Sequence, residues 1–150
     1  MTFEQAVKNV PDLANNFEKG LKALTKQYKN KLSCSEARKL TGSVNLEEAL
    51  QHKFPEAPLW DYGIGVKRGD GEKAIWLEFH PASSHHIEGI LNKLKWLKRW
   101  LAKNAPELKN MTSDYVWVAT GSVSFQKHSK QRKKLASKGV TFAGSKYNVG

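Results

Sequence analysis

Apolar residues return along this chain at two different intervals, and the interval changes where Pro or Gly interrupts it. From Thr2 to about Tyr28 the positions Phe3, Ala6, Val7, Val10, Leu13, Phe17, Leu21 and Leu24 keep near-helical spacing. With Pro11 suited to a first helical turn, this predicts two helices, the first of them short. Residues 30–43 are polar and read as a loop with a short helix at Ser35 to Leu40. Asn45, followed three residues later by Glu48, has the form of a helix cap with a return acid. The helix it opens runs to about Lys53, and Pro55 and Pro58 end it.

Beyond Pro58 the interval shortens. Leu59 to Val66 and Glu72 to His80 read as strands joined by a tight turn over Lys67 to Gly71, hence as antiparallel neighbours. After Pro81, with Ser83 or Ser84 as a cap, Ile87, Ile90, Leu91, Leu94, Leu97 and Leu101 form one stripe of a long helix. Tyr115 to Thr120 predicts another strand, Ser129 to Ser137 a basic helix stopped by Gly139, and Val140 to Ala143 a last strand. This order predicts a single α/β domain with a mixed central sheet flanked by helices. Residues 1–44 form a helical extension in this scheme, 45–143 the core and 144–150 a tail.

A chain of 150 residues can bury one core without staples. Its one cysteine, Cys34, excludes an intramolecular disulfide and a thiolate metal cluster, which fits a reducing, cytoplasmic setting. No apolar run approaches the roughly 20 residues of a membrane helix, and Glu4 and Lys8 lie where a signal core would be.

Charge adds a partner. Lys and Arg number 25 against 14 acids, for a net +11, which makes nucleic acid the first candidate. From Gly121 onward there is no acid, while Lys127, Lys130, Arg132, Lys133, Lys134 and Lys138 all fall there. Such a one-signed patch suits phosphate contact, although a solvated helix face has the same composition. A second group, Lys93, Lys95, Lys98, Arg99 and Lys103, shares the long helix with Trp96 and Trp100. These two rings suit a platform for bases or for a protein partner, or packing beneath the N-terminal helices.

Alternation places Ala74, Trp76, Glu78 and His80 on one strand face, and Asp61, Gly63 and Gly65 on one face of the neighbouring strand. The glycines are expected to leave space there. Two carboxylates from adjacent strands suit Mg²⁺ or Mn²⁺, which take a couple of carboxylates with water and phosphate. His80 offers an imidazole, which can accept a proton or bind a metal. Structural roles stay open beside these: Asp61 as an acceptor for backbone amides, Glu78 as partner to a Lys of the following helix. Glu48 is an accessory acid or a helix-start charge. His85 and His86 have the wrong spacing for zinc and read as capping or solvent residues.

Taken together, Pro58-Leu59-Trp60-Asp61 and Glu78-Phe79-His80, preceded by a helix with Glu47 and Glu48 and followed by helix, strand and helix, resemble the PD-(D/E)XK (restriction endonuclease-like) nuclease superfamily. The resemblance spans about 45–143, with His80 in place of the motif lysine. It implies a metal-dependent nuclease in which Asp61 and Glu78 hold Mg²⁺ and His80 assists an attacking water. Two other functions fit the residues: a non-catalytic module on the same fold that binds DNA or RNA, and a protein-interaction partner.

Overall fold

The computed structural model describes residues 1–123 and 130–150. In chain order its elements are α1 (Phe3–Lys8), β1 (Phe17–Lys19), α2 (Lys26–Lys29), β2 (Leu32–Ser33), β3 (Leu40–Asn45), α3 (Leu46–Leu50), β4 (Tyr62–Arg68) and β5 (Gly71–Ala82). There follow α4 (Ile87–Asn104), α5 (Pro106–Met111), β6 (Thr112–Val123), α6 (Lys130–Ser137), β7 (Val140–Gly144) and β8 (Tyr147–Asn148). Six strands form one sheet in the order β1-β3-β4-β5-β6-β7. Pairing is antiparallel as far as β5 and parallel beyond it. The change has a simple cause: a tight turn joins β4 to β5, whereas β6 and β7 are each reached through helices, as parallel neighbours require.

Gly69, at φ 59°, makes the β4–β5 turn, a conformation that side chains with a Cβ resist. Strand β5 runs past the predicted stop at Pro81 to Ala82. Proline has no N–H to give, and the ladder to β6 shifts register between Pro81 and Ala82. The long helix α4 buries Ile87, Ile90, Leu94, Leu97, Trp100 and Leu101 as the stripe predicts.

Both faces of the sheet are covered. On one, Trp76 and Ala74 pack with residues of α1, α4 and α5, among them Phe3, Leu97 and Leu108. On the other, Ile75, Leu77 and Phe79 pack with Leu24 and Val149, with Tyr28 against them.

This arrangement corrects the N-terminal reading. Residues 1–44 are not a helical extension, because β1 and β3 belong to the main sheet. In place of a second long helix there is a 3₁₀ turn at Ala14–Asn16 that runs directly into β1. Leu13 packs in the core on one face of the sheet and Leu24 in the core on the other, so no single straight helix could serve both. Nor are residues 144–150 a loose tail: β8 pairs with β2, and Val149 is buried. Gly63 and Gly65 do not open a cavity either. A Cβ at Gly63 would enter the Trp76 ring, and one at Gly65 would meet Phe3 and Thr41. Among the described residues no helix is long and apolar enough to cross a membrane.

Candidate functional site

Asp61 stands immediately before β4, and Glu78 lies in β5 one residue beyond Leu77, the partner of Tyr62. The backbone ladder between the strands reaches Tyr62↔Leu77. The two acids carry it one step further with their side chains. The Asp61 N–H donates to Glu78 Oε1 at 3.1 Å, and the Phe79 N–H donates to Asp61 Oδ2 at 2.8 Å. Lys93, reaching down from α4, donates to Glu78 Oε2 at 2.5 Å.

Burial sets the electrostatics of this group. Glu78 is 0% exposed, one of two buried polar residues among those described. Loss of water, reinforced by the charge of Asp61, pushes its carboxyl well above the usual range, and Lys93 pulls against that rise. Burial likewise lifts Asp61 to about 6, opposed by the Phe79 amide and by Lys93. Two acids held near each other in a partly dry place lack a full complement of cation, since Lys93 supplies a single positive charge.

The surroundings hold further groups. Glu47, at the start of α3, adds to the rise of Asp61, whereas the charge of Glu48 is felt at Tyr62. Glu47 also lines, with Lys93, Phe54 and Leu59, a cleft of about 280 Å³, to whose walls neither Asp61 nor Glu78 contributes. Tyr28 stacks on Phe79 with ring centres 4.3 Å apart. Burial and the nearby acids raise its hydroxyl, and they push that of Tyr62 up to about 12.

The structure thus brings Asp61 and Glu78 together and holds His80 apart. His80 shares a hydrogen bond of 3.1 Å between Nδ1 and the Pro81 carbonyl oxygen, and its ring meets that of His86 edge-on at 4.4 Å. Among the described residues no hydrogen bond joins it to either acid. The cation beside Glu78 comes from α4 instead. Glu48 serves α3 itself, its N–H donating to the Asn45 cap. Ser83 Oγ pairs with His86 Nδ1 at 2.8 Å rather than capping α4.

Asp61 and Glu78 both occupy the structural roles left open by the sequence, one accepting a backbone amide and the other pairing with a lysine. Those roles do not exhaust their chemistry. Asp61 Oδ1 accepts no hydrogen bond among the described residues, and two hard anionic donors on adjacent strands suit a divalent cation that keeps several waters. No group of three His, Cys, Asp or Glu able to hold a metal occurs among the described residues.

Of the basic residues singled out on α6 and just after it, Lys130, Lys133, Lys134 and Lys138 are exposed, while Arg132 lies over the Phe142 ring at 4.9 Å. Lys134 pairs with Glu88, and Lys98 Nζ donates to the Lys138 carbonyl, which fastens α6 to α4. Lys127 lies outside the described residues.

Lys93 and Glu47 were within reach of sequence reasoning. A glutamate buried on a strand requires a cation, and Lys93 stands at the edge of the apolar stripe of the helix that covers that strand. Tyr28 gave no such signal, because it comes from the short helix α2 in a stretch whose apolar residues are divided between the two faces of the sheet. No protein-family model, curated protein or solved structure matches this chain.

Proposed function

We propose that the protein is a metal-dependent nuclease or nuclease-like protein acting on phosphodiester bonds of nucleic acid, with a restriction endonuclease-like core formed by β3, β4, β5, α4 and β6. The observation that carries this reading is the desolvated pair of Asp61, just before β4, and Glu78 in β5, with Lys93 bound to Glu78. Both carboxyl groups sit above their ordinary pKa, as is common where groups are arranged for chemistry. In this reading Asp61 and Glu78 would hold Mg²⁺ or Mn²⁺, and the ion would supply charge stabilisation at a phosphate and a more acidic water. Lys93 takes the place of the lysine that E-x-K would supply from the strand, orienting an oxygen of water or phosphate beside Glu78. His80 has a weaker part, as an acceptor at the margin of the site. Basic side chains of α4 and α6 hold the strand by its phosphates.

A second reading, a nucleic-acid-binding module without turnover, draws on a different observation. Both oxygens of Glu78 are already bonded and the residue is fully buried, so its present contacts hold the sheet together. One experiment separates the two. Single- and double-stranded DNA and RNA are incubated with Mg²⁺ or Mn²⁺ and wild type, Asp61→Asn, Glu78→Gln, Lys93→Met or His80→Ala, each first shown to be folded. Metal-dependent cleavage lost in the Asp61 and Glu78 variants supports the nuclease. Cleavage that persists in excess chelator overturns it, and binding without cleavage by any protein favours the module.

A further inference from the structure

Trp96 and Trp100, one turn apart on α4, stack at 6.4 Å between ring centres and 9° between planes. Phe54, from the turn after α3, meets Trp96 edge-on at 5.3 Å. Trp100 is itself buried, in the core cluster to which α1 contributes Phe3 and Val7, so Trp96 is the ring of the pair that water reaches. The three rings do not close over one another. They line a cleft of about 360 Å³ whose rim carries Lys53, Arg99 and Lys103, with no acid among its lining residues.

Lys53 is held by Asp12 at 3.3 Å, whereas Arg99 and Lys103 are exposed and have no acid bound to them among the described residues. Half-buried Trp96 gives the cleft an aromatic wall still in contact with water. An aromatic wall beside unpaired cations matches a flat π-face linked to an anion, which is the chemistry of a nucleotide. A base paired inside a duplex has no free face to offer, so the match is to a single strand.

The position of the cleft agrees. Phe54 also lines the smaller cleft that contains Lys93 and Glu47, so the two hollows share a wall. Lys93, Trp96 and Trp100 follow one another along the same side of α4, at helical spacings of three and four. From Lys93 to Trp100 the helix rises about 10 Å. A strand with a phosphate near Lys93 would therefore bring a neighbouring base to the rings.

We infer that the Phe54–Trp96–Trp100 cleft is a subsite for an unpaired base of single-stranded nucleic acid, with the adjoining phosphate on Arg99 and Lys103. This rests on the nucleic-acid reading above, though not on cleavage. It assigns a preference for single strands that the acid pair alone does not explain.

The test uses the full chain in chelator, which prevents metal-dependent turnover. Fluorescence anisotropy is read with labelled oligothymidylate, oligouridylate and a duplex of equal length, at one fixed salt concentration. Wild type should bind both single strands more tightly than the duplex, with similar affinity for the two if the ring face alone is recognised. A clear difference between DNA and RNA strands would assign the subsite to the tighter of them. Trp96→Leu keeps an apolar side chain against Phe54 while removing the stacking surface. It should weaken single-strand binding about tenfold and duplex binding less than twofold, whereas Trp96→Phe should retain most of the affinity. Arg99→Ala with Lys103→Ala should weaken single-strand binding and flatten its salt dependence.

Wild-type binding that survives Trp96→Leu, or falls equally for both forms, overturns the subsite while leaving the nucleic-acid reading standing. Failure of the wild type to bind any of the three probes overturns both. Cleavage assays on Asp61→Asn report on the acid pair independently of either result.

Discussion

Replacing Asp61 by Asn should make the protein more stable at neutral pH, and the gain should vanish on acidification. Burial lifts the folded-state pKa of Asp61 from 3.8 to about 6. Since the folded value is the higher one, the unfolded chain gives up this proton first, and wild-type stability falls as pH rises through that interval. At about 1.36 kcal/mol per pKa unit the full effect is about 3 kcal/mol well above both values. Asp61 keeps some solvent contact, which reduces this to about 1–3 kcal/mol at pH 7, against about half a kcal/mol near pH 4. The amide of the variant still offers an oxygen to the Phe79 N–H, so no hydrogen bond need be lost. Urea unfolding of both proteins at half-unit steps from pH 4 to pH 7, in chelator, measures the gap directly. For a chain of this length the melting temperature should rise by several degrees at pH 7. A variant less stable than wild type at pH 7, or a gap that stays constant across the range, would refute the claim that the acid is held at a cost.

Lys93→Met should destabilise by about 3–5 kcal/mol, because it strands a buried carboxylate; urea midpoints check this, and adding Glu78→Gln should recover most of the loss. Gly63→Ala forces a methyl group into the buried Trp76 ring and should cost about 1–3 kcal/mol or more, seen as a lowered unfolding midpoint with an unchanged denaturant slope. Neutralising Lys130, Lys133 and Lys138 together by glutamine should reduce the log–log salt slope of oligonucleotide binding by about 2–3, at roughly 0.9 per lost phosphate contact. An unchanged slope between 50 and 200 mM salt would place the phosphate contacts elsewhere.

Where one side-chain pattern served one surface, the sequence was legible. Helix α4 and the existence of the β4–β5 hairpin and of β6 and β7 follow from their periods, although β5 runs on through Pro81 and β6 spans Thr112–Val123 rather than Tyr115–Thr120. The N-terminal third was not, because its apolar residues keep helical spacing while serving both faces of the sheet, and spacing carries no information about which face receives each. Strand β3 was hidden for another reason. Thr41, Gly42, Ser43 and Asn45 look like a loop, yet Ser43 is buried with its hydroxyl accepting the Ala23 N–H. In the candidate site, strand alternation was enough to bring Asp61 and Glu78 together. It could not show that the histidine two residues on would turn to the Pro81 carbonyl and His86, since that depends on the turn leading into α4.

The side-chain bonds between Asp61 and Glu78 have a mechanical side. Each acid holds a main-chain amide from the other strand or its neighbour, so the last two rungs between β4 and β5 are made of carboxylate. Any ligand that takes those oxygens also takes the rungs. For such a ligand, binding would be coupled to opening the start of β4 from β5, and the sheet itself would be the spring against which it pulls.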